Sequence, residues 1–123
     1  MPNITPDELN LIKLYMLLPM ILTALERDAA IIEKALKTSE PYVEVLRRAQ
    51  QEVTNDLRQV RYKFRIAGIK VYEEQRDKQE LRAKYLCRGY HYPFQMPLNY
   101  AVSESKELMR KYLGLGSSRY IKA

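Results

Sequence analysis

Between Ser39 and about Ile66 the chain reads SEPYVEVLRRAQQEVTNDLRQVRYKFRI, with apolar or neutral side chains at Leu46, Gln50, Val53, Leu57, Val60 and Phe64. The intervals alternate four and three, the spacing of a helix packed lengthwise on another helix. One position later, at the same spacing, stand Arg47, Gln51, Thr54, Arg58, Arg61 and Arg65. One residue is about 100° of helical turn. A basic stripe free of acids therefore lies beside the packed seam.

Upstream, Thr5-Pro-Asp-Glu8 is a helix start: Thr5 caps, Pro6 suits the first helical position and Glu8 completes a capping box. From Leu9 to Leu25 the chain is apolar almost all round. Its uncharged run, Leu14 to Leu25, is twelve residues, short of the roughly 20 needed to span a bilayer. The preceding flank is acidic, which is wrong for a secretory signal. A buried core helix is expected, bent or locally broken at Pro19.

From Leu25 onward the pattern narrows to Ile32 and Leu36 among charged residues, and Thr38-Ser39 breaks the helix. Ser39 is the expected cap of the next helix, with Pro41 in its first turn. So short a connection predicts an antiparallel helical hairpin over 5–66. Folding it about Thr38 sets Ile32 against Leu46, Leu25 against Val53, Leu18 against Val60 and Leu14 against Phe64. The inner half of the first helix is apolar on too many sides for one partner. The rest of the chain, a second subunit or both must cover it. The simplest oligomer is a homodimer of twofold symmetry through Leu11, Leu14, Tyr15, Leu18 and Leu22.

Beyond Gly68 the period changes. Ile69, Val71 and Tyr72 favour strand, Arg76-Asp-Lys-Gln79 is a turn candidate, and Leu81, Ala83, Tyr85 and Cys87 alternate with Arg82, Lys84, Leu86 and Arg88. A β-hairpin over 69–89 is expected. A continuous helix competes with it, since Leu81 and Tyr85 keep the earlier seam in phase. Gly89 to Pro97 is aromatic, interrupted by proline and expected to be extended or loop. A last helix runs over 98–113, stopped by Gly114, and 117–123 is a mobile tail. The expected fold is α+β, mainly helical, in order ααββα, as a single domain over 1–116.

Composition adds a charge asymmetry to this plan. Residues 1–40 hold four Lys/Arg and six Asp/Glu, a balance of −2, while residues 41–123 hold seventeen and nine, a balance of +8. A basic field of this kind favours a polyanion or an acidic protein partner. Ten tyrosines with two Phe and no Trp suit wet interfaces as well as a core. One cysteine, Cys87, excludes an intrachain disulfide and fits a reducing, cytoplasmic setting.

Two patches carry the candidate chemistry. Arg47, Arg58, Arg61 and Arg65, joined by Lys63 and Lys70, form a ladder suited to phosphates; its ordinary alternative is a solvated helix face. Arg82, Lys84 and Arg88 share a strand face near Tyr90, and rings interleaved with cations grip a nucleic-acid backbone while stacking bases. The bland reading makes them solubilising charges on a sheet edge. Cys87 and His91 would share a face but have no orienting third group, and Glu73-Glu74 point to opposite faces of a strand. No enzyme, cofactor or metal is expected. The leading function is a small nucleic-acid-binding or nucleic-acid-associated accessory protein. The alternatives are an adaptor or inhibitor docking on an acidic or apolar protein surface, and a structural subunit of a homo-oligomer.

Overall fold

Thr5 starts the first helix by the mechanism its neighbours dictate. Its hydroxyl accepts from the Glu8 amide at 3.1 Å and the Glu8 carboxylate accepts from the Thr5 amide at 3.1 Å. In this computed structural model, which describes residues 4–115, α1 spans Pro6–Ala35 and α2 spans Glu40–Ala67. A three-stranded sheet comes next, β1 (Ile69–Arg76), β2 (Glu80–Cys87) and β3 (Tyr90–Pro97), and α3 (Leu98–Tyr112) ends the fold. The architecture is α+β and mainly helical, as the hydrophobic periods imply. The tail expected over 117–123 lies outside the described residues.

The hairpin seam is buried as its spacing requires: Val53, Leu57, Val60 and Phe64 are in the core, joined by Ala49. Tyr15 packs its ring on Phe64, centroids 5.1 Å apart, one residue from the expected Leu14 pairing. Of the bend or break expected at Pro19, the break does not occur, since α1 is continuous through it. The ring stands exposed while Met16, Leu17, Leu18 and Ile21 around it are buried, and that burial outweighs the lost backbone bond. Ser39 occupies the N-cap position of α2 but is αR and makes no side-chain cap bond.

Gly68 ends α2. Its φ of 73° is left-handed, so the helix stops there and cannot continue to Tyr85. β1 pairs antiparallel with β2, and β2 with β3, in sheet order β1-β2-β3. Period two holds along β2, where Leu81, Ala83, Tyr85 and Cys87 face the core. The first turn is closed by Asp77, whose carboxylate accepts from the Gln79 and Glu80 amides at 2.8 and 2.9 Å. The segment read as extended or loop is in fact the third strand. Pro93 fits there because β3 is an edge, where one side of the ladder is unpaired.

The sheet and α3 cover part of the inner half of α1. The β2–β3 turn reaches Glu8, while the far end of the sheet shares a cleft with Met16, Pro19 and Met20. α3 crosses the hairpin and buries Ala101, Leu108 and Tyr112; the Tyr112 hydroxyl donates to Asp56 on α2 at 2.6 Å. One continuous cluster draws on all six elements. The sheet and α3 therefore supply part of the cover that the sequence demands. Leu18 is fully buried within the chain; Leu11, Leu14, Tyr15 and Leu22 are partly buried and pack on the same core. α1 is also long and apolar enough to cross a membrane by length and composition, and about a third of its most apolar window is buried in this fold.

Candidate nucleic-acid interface

The stripe on α2 takes the place its phase predicts. Arg47, Arg58, Arg61 and Arg65 are all exposed, as are Lys63 on a different flank of the helix and Lys70 at the start of β1. Arg58, Arg61 and Arg65 are spaced at intervals of three and four, so their heads line one face of the helix root. None of these three, nor Lys63 or Lys70, forms an ion pair among the described residues. Tyr62 and Ile66 stand among them, 51% and 69% exposed, and the Arg65 guanidinium lies 5.8 Å from the Tyr62 ring centroid. Arg47 is different. It pairs with Glu26 of α1, and Gln50 donates to the same carboxylate at 2.9 Å. That end of the stripe is neutralised by the hairpin partner, and the basic face shrinks to the root of α2.

The second patch does not survive as free charge. Arg82 pairs with Asp77 at 3.3 Å and Glu80 at 3.5 Å, and Lys84 with Glu73 at 3.5 Å. A bulge at Tyr72 shifts the register so that Glu73 sits opposite Lys84 on the outer sheet face. Arg88 is committed to the fold. Its guanidinium makes a two-pronged pair with Glu8, at 2.6 and 3.1 Å, and donates to the Ala67 carbonyl at 3.1 Å. Arg88 and Gly89 have φ of 50° and 87°, the two positive values of the tight turn that matches strand twist. This turn therefore ties the start of α1 to the end of α2. The pair holds the Glu8 carboxyl down at about 2, chiefly through the Arg88 hydrogen bonds and then the Thr5 amide. Tyr90, beside this clamp, is exposed and lies opposite Cys87 in the ladder.

Catalytic pairings fare no better. Cys87 faces the core, while His91 pairs with Leu86 on the other face, so the two are on opposite sides of the sheet. Burial pushes the Cys87 thiol up, away from the reactive thiolate. His91 instead meets the Tyr72 hydroxyl, 2.9 Å from its Nδ1. Glu73 and Glu74 point to opposite faces, as alternation requires.

Two contacts escape sequence reasoning because they join residues 80 and 91 positions apart: the Glu8–Arg88 clamp and the pair of Lys13 with Glu104. Glu104 is 2% exposed within α3, a place its polar pattern gave no reason to bury. Lys13 beneath it, with the Tyr100 hydroxyl 3.3 Å from the carboxylate, compensates the charge. A lone lysine in the apolar run Leu9–Leu25 was the available signal.

Comparison with known proteins adds a family. The model of the YhjD protein family matches residues 3–117. The chain belongs to the YhjD family. It is similar to protein YhjD of Bacillus subtilis (strain 168), 32% identical over 108 residues, which cover 85% of this chain and 90% of that one. No solved structure matches it. The family name states no activity, so the functional reading rests on the charged and apolar surface of the fold.

Proposed function

We propose that the chain is a small non-enzymatic protein that binds nucleic acid through the exposed basic root of α2. The observation that carries this reading is the contrast in pairing. Arg58, Arg61 and Arg65 present three charges in line without an acid, whereas Arg47, Arg82, Lys84 and Arg88 are each matched to a carboxylate. A linear set of cations on a helix meets successive phosphates, and each phosphate neutralised releases counterions. Lys70 extends the set along the chain, and the Tyr62 ring offers a stacking surface.

The test is a fluorescence-anisotropy titration of the intact chain with a short duplex and a single strand, each at two salt concentrations. Three to five phosphate contacts predict a slope of log affinity against log salt of about −2.7 to −4.5 on duplex. Absence of binding at low salt removes the proposal. The exposed Tyr62 and Ile66 support a second reading, docking on an acidic protein surface, since an apolar side chain has no use on a phosphate backbone. Competition separates them: excess duplex of unrelated sequence displaces a nucleic acid and leaves a protein partner bound.

A further inference from the structure

Away from the α2 stripe, a groove of about 480 Å³ lies between α1 and α3, with Arg76 of β1 at its edge. That lies within the roughly 300–1,000 Å³ of small-ligand clefts. Its apolar wall comes from Met20 and Ala24 of α1 and from Val102 and Met109 of α3. Val102 is 40% exposed, so α3 leaves this apolar side chain outside its own core face.

The charges around this wall are all of one sign. Arg27, Arg76 and Lys106 line the groove and no acid does. Arg27 has Asp28 at 3.2 Å, but Arg76 and Lys106 form no ion pair among the described residues. Arg76 reaches this place through the bulge at Tyr72, which sets it opposite the core-facing Leu81. The Ser105 hydroxyl oxygen, also in the lining, is buried without a hydrogen-bond partner among the described residues. A rotamer change at Met20 or Met109 costs little and opens such a wall.

We infer that the groove between α1 and α3 binds a single-chain amphipathic anion, its acyl chain on the methionine wall and its carboxylate or phosphate head between Arg76 and Lys106. Apolar area supplies affinity and the two unpaired cations supply the sign.

The probes are dodecanoate and dodecyl phosphate, titrated calorimetrically into the intact chain below their micelle concentrations. Dodecyl maltoside and dodecyltrimethylammonium, with the same alkyl chain and neutral or positive heads, are the controls. Both anions are expected to bind at least about tenfold more tightly than either control, the scale of one charge-assisted hydrogen bond. Reversing the exposed rim, Arg76→Glu with Lys106→Glu, is expected to remove that preference without shifting the thermal melt. Val102→Glu, a separate exposed change in the wall, is expected to weaken the anions by a similar factor. Methyl resonances of Met20 and Met109 are expected to move on binding. Equal affinity for anions and controls, indifference to rim reversal, or shifts confined to other methionines would each overturn the inference. So would protein self-association that displaces the probes from the groove.

Discussion

Arg58, Arg61 and Arg65 on α2, and Arg82, Lys84 and Arg88 after the sheet turns back, carry equal charge and keep different company. On the helix, the positions three and four residues from each arginine hold no acid, and none of the three arginines forms an ion pair among the described residues. On the sheet, antiparallel pairing carries Glu73 to Lys84 from eleven positions away, and the β2–β3 turn carries Arg88 to Glu8 across the whole fold. The helix root thus keeps a net field, while the sheet has been converted into local pairs. Basic residues in a sequence mark a binding surface only where no neighbouring element supplies the counter-charge.

This contrast is open to direct attack. The largest effect is expected from Arg58→Glu, Arg61→Glu and Arg65→Glu together. Duplex affinity at low salt should fall by more than about a hundredfold, with helicity by circular dichroism unchanged, whereas Arg82→Glu with Lys84→Glu should change it only slightly. Equal losses from the two sets would erase the distinction. The clamp gives an intermediate effect of another kind. Arg88→Ala should lower the melting temperature by a few degrees and leave duplex binding as it was.

The same clamp predicts a pH dependence. The folded-state value of Glu8 is depressed from 4.5 to about 2. Its contribution to stability is therefore complete above about pH 4.5 and is lost as the pH falls toward about 2. Glu8→Gln should flatten that part of the stability curve, read by thermal melts across acid pH. The smallest effect is expected from Glu73→Gln, which frees Lys84 from its ion pair. Duplex affinity should rise by no more than about threefold, as the modest worth of exposed pairs implies.

Much of the fold was legible in the chain. The alternating three and four from Leu46 to Phe64, the cap at Thr5 and the stop at Gly114 are local rules whose outcome needs no knowledge of the rest. The strand at Leu81–Cys87 was also readable, since alternation on one buried face has few other meanings. The third strand was not, because two prolines disguise an edge strand as a loop. The candidate interface was half legible. Phase alone put the α2 arginines outside, but phase says nothing of whether an acid waits opposite.

By itself, then, the sequence determined two helices in antiparallel contact, a basic face on the second, and an apolar first helix that had to be covered. These follow from periodicity, which is a property of neighbours along the chain. Only the tertiary structure decided that the sheet and α3 provide part of the cover, that Arg88 is a clamp on Glu8, and that Arg76 stands beside an apolar groove. Each of those depends on a register or a bulge that brings distant residues within a few ångströms, and a charge has its meaning only from what is placed against it.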